Sequence, residues 1–76
     1  MEEEIKNQIK LIIKQPTLEI ANNDSLITSG ILNSLNIVEL ATWMEQKYQI
    51  DFSKRVFNVY DFETVESIVT LMNKKN

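Results

Sequence analysis

The sequence has 76 residues, 43% of them hydrophobic and 25% charged, a composition that suits one small globular domain with a single core, residues 1–76. It contains no Cys and no His, so it lacks thiolate nucleophiles, the usual general base and the usual transition-metal ligands, and we do not expect an enzyme. Its net charge of −3 at pH 7 disfavours nucleic acid as a partner, because binding a phosphate backbone requires clustered Lys and Arg.

The first predicted element is an amphipathic helix from Glu2 to Lys14. Its isoleucines are spaced so that they share one helical face, and Pro16 cannot continue the hydrogen-bond ladder, so the helix should end near Gln15. The acidic residues at its start are unlike a signal or transit peptide, and no apolar stretch reaches membrane-spanning length. We therefore expect a cytoplasmic protein that does not insert into a membrane.

A long connection follows, from Thr17 to Leu32. Its polar cluster at residues 22–25 is typical of turns, but six Leu and Ile side chains are distributed along it. A loop this long and this apolar is expected to pack onto the domain, and loops of such length in small domains tend to be functional. Gly30 would allow a sharp backbone turn at its end.

The strongest amphipathic pattern begins after Asn33, a good helix cap, and runs to about Lys47. The opposite face of this second helix combines apolar and polar side chains, and such a mixed face favours contact with a partner. It carries Leu35, Val38, Glu39, Thr42 and Gln46. Trp43 lies at the edge of the apolar stripe, where burial is more plausible than a recognition role.

The remaining residues predict a short third helix near Lys54 to Val59 and a last helix from about Glu63 to Asn73. The fold class is therefore all-α: a small four-helix bundle with three longer helices, one short helix and a long first loop. We find no internal repeat, low-complexity segment or metal-binding loop in the sequence.

The stretch from Gly30 to Leu40 delivers a Ser hydroxyl, that of Ser34, to the first turn of the second helix. This stretch resembles the attachment motif of acyl and peptidyl carrier proteins, in which a Gly, two apolar residues, an Asp, the modified Ser and a Leu precede a Val-Glu-Leu segment. The order of helices and the Asp61–Ile68 segment are similar too, so the resemblance covers essentially the whole chain.

The resemblance implies that a separate phosphopantetheinyl transferase attaches 4′-phosphopantetheine from coenzyme A to Ser34, with Asn33 and Leu35 beside it. Acyl groups would then be carried as thioesters on the thiol of this arm. It also implies docking of transferases and synthases on the second helix, through Leu35, Val38, Glu39, Thr42 and Glu45. Ile50, Val59 and Tyr60 would be placed to line a cleft for the acyl chain.

Asn33 departs from the family, which has Asp at this position. The two residues cap a helix equally well, but a neutral amide loses the charge-assisted part of a contact with a basic transferase. Modification could therefore be slower, restricted to one transferase or absent.

The expectation is a freestanding, monomeric acyl carrier of fatty-acid, polyketide or related biosynthesis. The alternative is a carrier-shaped interaction module that binds partners through Leu35, Val38 and Glu39 but is never modified. A hydrolase that uses carboxylates alone is remote, because no pair of acids stands out from the solvated charges. The sequence leaves the acyl cargo and the partner enzymes open.

Overall fold

The computed structural model describes residues 1–52 and 58–73 of the chain. In these residues there are three α-helices, α1 (Glu2–Ile13), α2 (Ser34–Tyr48) and α3 (Val65–Asn73), and a 3₁₀ helix, Val59–Phe62, that immediately precedes α3. There is no strand in the described ranges, which confirms the all-helical class. None of the described helices is long and apolar enough to cross a membrane.

The predicted count of four α-helices is not matched by the described part of the chain. The short helix expected near Lys54 to Val59 falls mostly on residues 53–57, outside the described residues. The chain is next described at Asn58, whose side chain caps the 3₁₀ helix by accepting from the Tyr60 N–H at 2.9 Å. Besides the three α-helices, the described residues thus contain this 3₁₀ turn, Val59–Phe62.

Helix α1 ends at Ile13, slightly before the predicted end near Gln15. Lys14 adopts a left-handed conformation, with φ at 61°, and the Gln15 N–H donates to the Lys10 carbonyl oxygen at 2.9 Å. This backbone closure ends the helix before Pro16 can interrupt it. A left-handed residue closes α2 as well, since Gln49 has φ at 58° directly after Tyr48.

The first loop packs onto the bundle, as predicted. Ile20, Leu26 and Leu32 are buried, and Leu18, Ile27 and Ile31 pack partly buried against them. Burial of apolar side chains from a connection between helices offsets the entropy lost in ordering it. The loop is therefore part of the folded core rather than a tether between α1 and α2.

One continuous core joins the helices and the loop. Helix α1 packs against both α2 and α3, and the 3₁₀ helix packs against α3. The core side chains from the helices and from residue 52 are Ile5, Ile9, Ile37, Leu40, Met44, Phe52, Phe62, Val65, Ile68 and Leu71. Trp43 packs partly buried at the edge of this core, with its ring centroid 5.7 Å from that of Tyr48.

Polar contacts fix α1 against the carboxyl end of α2. Glu4 accepts a hydrogen bond from the Tyr48 hydroxyl at 2.9 Å and lies 3.4 Å from the Lys47 ammonium. Partial burial, together with this bond, raises the pKa of Tyr48 to about 12. The positive charge of Lys47 is therefore engaged within the domain.

Candidate functional site: the start of helix α2

A tight turn brings the loop to the start of α2. Gly30 has φ at +86°, a backbone conformation that residues with a Cβ rarely adopt, and its N–H donates to the Ile27 carbonyl oxygen at 3.0 Å. Apart from Gly30 itself and its two neighbours in the chain, no atom lies within 4 Å of the place that a Cβ would take. The turn thus requires glycine for its backbone conformation and not for lack of space.

Two buried leucines close the base of this turn. The Leu32 N–H donates to the Leu26 carbonyl oxygen at 2.8 Å, and both side chains are almost completely buried. Residues 26–32 therefore form a closed segment anchored in the core at both ends. Asn33 and Ser34 leave this anchor directly and are exposed.

Asn33 caps α2, as predicted, but it does so together with Asn36. The Asn33 Oδ1 accepts from the Asn36 N–H at 2.9 Å, and the Asn36 Oδ1 accepts from the Asn33 N–H at 3.1 Å. This reciprocal capping box satisfies two of the N–H groups that a helix start leaves without an intrahelical acceptor. The role of Asn36 was missed from the sequence, although the signal, an amide three residues after the cap, was visible.

Ser34 is the first residue of α2, and its side chain is exposed. Its hydroxyl makes no hydrogen bond to any described residue, and the N–H groups of Ser34 and Leu35 likewise donate to none of them. The helix dipole places partial positive charge at this point. The Ser34 hydroxyl is therefore accessible and lies in electropositive surroundings.

These residues fit a phosphate ester at Ser34. The hydroxyl is reachable from solvent, the two free N–H groups can face phosphate oxygens, and a helix start favours an anion. By contrast, the described residues contain no cluster of acidic side chains that could hold a metal ion. The start of α2 is suited to a covalently attached phosphate rather than to a metal site.

The predicted partner face of α2 is exposed along its first half. Leu35 and Val38 are 68% and 60% exposed, and Glu39 and Thr42 are exposed beside them. Of these four side chains, the Thr42 hydroxyl alone has a hydrogen-bond partner among the described residues, the Val38 carbonyl oxygen at 2.9 Å. We call these four residues the docking face.

Glu45, the fifth residue predicted for this face, has a structural contact instead of a free carboxylate. It is half-buried, and its Oε2 accepts the Phe52 N–H at 3.0 Å. Sequence periodicity placed Glu45 on the helix but could not show that the chain after Gln49 returns a backbone N–H to it. Glu39 is thus the acidic side chain of α2 that remains exposed.

The residues predicted to line an acyl cleft are in two different environments. Ile50 is partly buried against the core, whereas Val59 and Tyr60 are 41% and 68% exposed. No pocket is present among residues 1–52 and 58–73. The described core is closed in this conformation.

Glu63 is a further polar residue of this region that sequence reasoning missed. Its carboxylate accepts hydrogen bonds from the loop that precedes Ser34, at the Ile27 N–H (2.8 Å), the Thr28 N–H (3.1 Å), the Ser25 hydroxyl (3.1 Å) and the Thr28 hydroxyl. These bonds, those from Thr28 first, lower the pKa of Glu63 from 4.5 to about 2. The carboxylate is therefore charged at neutral pH.

The comparison with known families shows to which family the chain belongs. The family model for the phosphopantetheine attachment site matches residues 3–72. The chain belongs to this family. No curated protein and no solved structure matches it significantly.

Family membership confirms several expectations. Carriers of this family are not catalytic, and they bear acyl groups on covalently attached 4′-phosphopantetheine. They interact with the transferases and synthases that load and use them. The chain is therefore a carrier protein for phosphopantetheine-linked acyl groups, and the arm supplies the reactive thiol that its own sequence lacks.

Proposed function

We propose that Ser34 is the residue of this carrier that receives the phosphopantetheine arm. The observation that carries the proposal is a comparison of the serines within the described residues. The hydroxyls of Ser25, Ser29 and Ser67 each donate a hydrogen bond within the domain, whereas the Ser34 hydroxyl donates none. Ser34 is also the serine at the start of a long helix, where a phosphate is favoured.

The proposed covalent step takes place at the Ser34 oxygen. The Ser34 oxygen attacks the phosphorus of coenzyme A that bears the pantetheine, the bond from that phosphorus to the bridging pyrophosphate oxygen breaks, and adenosine 3′,5′-bisphosphate leaves. The Ser34 proton passes to a base of the transferase, because the described part of the carrier places no basic side chain on the hydroxyl. The carrier's part is to present the oxygen and to stabilise the new phosphodiester with the N–H groups of Ser34 and Leu35.

The docking face is proposed as the surface that transferases and synthases contact. Its two exposed apolar side chains lie one and four residues after Ser34, about one helical turn, so a partner that covers Leu35 and Val38 also reaches the arm. Glu39 adds one exposed carboxylate, and Thr42 extends the face by a further turn. Glu45 lies at the margin and contributes less, since its carboxylate already binds the Phe52 N–H.

The biological role proposed is that of a monomeric carrier of acyl intermediates in fatty-acid, polyketide or related biosynthesis. The core closes within a single copy, because the buried apolar residues of all three α-helices pack against one another and the loop. A carrier of this kind raises the effective concentration of a tethered substrate at successive enzymes. Sedimentation of the purified chain as a dimer would contradict the monomeric state.

The test of the attachment site is incubation with coenzyme A and a promiscuous phosphopantetheinyl transferase, followed by intact-mass measurement. The wild type should gain the mass of one phosphopantetheinyl group, on the peptide that contains Ser34, and Ser34→Ala should gain none. A wild type without any gain, or a label on another serine, would contradict the proposal. Asn33→Asp separates a slow site from an absent one, because it restores the family's carboxylate and leaves a capping residue in place.

An unmodified interaction module is the second candidate, and Asn33 is the observation that favours it. In that case Ser34→Ala would keep partner binding and cellular function, while Val38→Asp would remove both. Loss of function in Ser34→Ala excludes the module.

A further inference from the structure

One residue holds four consecutive residues of the first loop. The Glu63 carboxylate accepts from the Ser25 hydroxyl, the Ile27 N–H and both donors of Thr28, and its backbone carbonyl oxygen accepts from the Leu26 N–H at 2.7 Å. Backbone and side chain of Glu63 thus bind the whole 25–28 segment. We call this set of contacts the Glu63 clamp.

The clamp continues by hydrogen bonds to the residues beside Ser34. The carbonyl oxygen of Ile27 accepts from Gly30, at 3.0 Å, and that of Leu26 accepts from Leu32, at 2.8 Å. Leu32 is two residues from Ser34, and Asn33 between them caps α2. Glu63 therefore helps to fix the position of the turn that leads to Ser34, because it holds the 25–28 segment to which that turn is hydrogen-bonded.

The side chain of Glu63 has no comparable function within its own part of the chain. The start of α3 is capped without it, because the Thr64 Oγ1 accepts from the Ser67 N–H at 2.9 Å and the Ser67 Oγ accepts from the Thr64 N–H at 3.1 Å. All carboxylate contacts of Glu63 in the described ranges go instead to residues 25, 27 and 28. The Glu63 clamp thus stabilises the first loop and not helix α3.

We propose that Glu63 is a positioning residue for the modification of Ser34. Glu63 orders the 25–28 segment, so that the Gly30 turn presents the Ser34 hydroxyl to the transferase. The proposal rests on the proposed function of Ser34 as the attachment site. Glu63 touches neither Ser34 nor the reacting atoms, and it acts through the loop. Without the carboxylate, the loop is ordered in a smaller fraction of the carrier molecules. The apparent affinity of the transferase for the carrier then falls in proportion to that fraction.

The test compares Glu63→Gln with two matched variants in transferase kinetics. Glu66→Gln removes the same charge from an exposed residue of α3 whose side chain makes no hydrogen bond or ion pair in the described ranges. Thr64→Ala removes the neighbouring helix cap and lowers stability without touching the loop. For Glu63→Gln we expect the KM for the carrier to rise about tenfold with kcat at saturation little changed. Both controls should keep the wild-type KM.

Hydrogen exchange gives a second readout that simple loss of stability does not reproduce. Exchange of the Ile27, Thr28 and Leu32 amides should accelerate in Glu63→Gln, while amides of the α2 interior, such as that of Leu40, keep their protection. Thr28→Val removes one donor to the carboxylate at an exposed position, so it retains the fold and should raise the KM in the same direction by a smaller factor. This variant keeps the proposal testable if Glu63→Gln fails to fold.

The outcomes separate the role of Glu63 from that of Ser34. A wild type that acquires no label contradicts the proposed function itself. A labelled wild type with an unchanged KM in both Glu63→Gln and Thr28→Val overturns only the positioning role. An equal rise of KM in Thr64→Ala also overturns it, because the effect would then follow stability and not the clamp.

Discussion

The starts of α2 and α3 have the same capping arrangement but opposite treatment of their serines. Each helix begins with a reciprocal pair, Asn33 with Asn36 in α2 and Thr64 with Ser67 in α3. The Ser67 oxygen also lies 2.8 Å and 2.9 Å from the carbonyl oxygens of Asp61 and Thr64. The Ser34 hydroxyl has no such partner in the described residues, although it lies at the start of the longer helix.

The choice of capping residues keeps one hydroxyl of this small domain available. In α3 the serine completes the cap, so its oxygen is saturated by the fold. In α2 the asparagine pair completes the cap, and the serine next to it is left with an exposed oxygen and free N–H neighbours. Assigning the cap to the amides frees Ser34 for chemistry with another molecule, and folding does not depend on its side chain.

Two Ser→Ala variants should show opposite effects on phosphopantetheine labelling and on stability. Ser34→Ala should lose all phosphopantetheine label and keep the wild-type unfolding midpoint, because its hydroxyl stabilises nothing in the described structure. Ser67→Ala should keep the label and lose about 1 kcal/mol of stability, because it breaks the cap of α3. Intact mass and thermal unfolding measure the two quantities. Equal loss of stability in the two variants would contradict the different roles of Ser34 and Ser67.

A second, smaller effect is expected on the docking face that follows Ser34. Val38→Asp should raise the KM of the carrier for a transferase or synthase about tenfold, because it places a charge in an apolar contact. Its unfolding free energy should change little, since Val38 is 60% exposed. Asn7→Asp adds the same charge to an exposed position of α1 and is the control. An unchanged KM in Val38→Asp would move docking away from α2.

Stability at acidic pH should distinguish Glu63 from the exposed carboxylates. The pKa of Glu63 is lowered from 4.5 to about 2, so its hydrogen bonds stabilise the fold fully above the ordinary value and are lost as the pH falls toward about 2. The wild type should therefore exceed Glu63→Gln in unfolding temperature at neutral pH, and the difference should shrink through this acidic window. Thermal unfolding of both variants across it tests the sign, with Glu66→Gln as the charge control.

Much of this fold could be predicted because its signals are local. The spacing of apolar residues in α1 and α2, the proline after α1 and the cap at Asn33 each act within a few residues of sequence. The burial of the first loop was predicted from its six Leu and Ile residues alone, because side chains of that kind need a core. The exposure of Ser34 followed from its place in the first turn of α2.

The parts that could not be predicted depend on contacts between distant residues. Glu63 meets Ser25 and Thr28 across more than thirty residues of sequence, and no periodicity indicates which of the chain's acidic residues meets the loop. The same holds for Glu45, whose acceptor role depends on how the chain returns at Phe52. The last helix begins at Val65, slightly after the predicted start at about Glu63, because Thr64 is its cap.

The smallest expected effect separates the two glutamates of α2. Glu39 is exposed, so Glu39→Gln should raise the KM for a basic partner by about twofold at low ionic strength, and salt should abolish the difference. Glu45→Gln should change the KM and its salt dependence by less than Glu39→Gln, and it should lower thermal stability, because its carboxylate binds the Phe52 N–H. KM measured across a salt series, beside thermal unfolding, compares them. Equal salt effects in both variants would show that Glu45 leaves its internal contact and joins the docking face. Partner binding, and not the fold alone, would then set the exposed charge of α2.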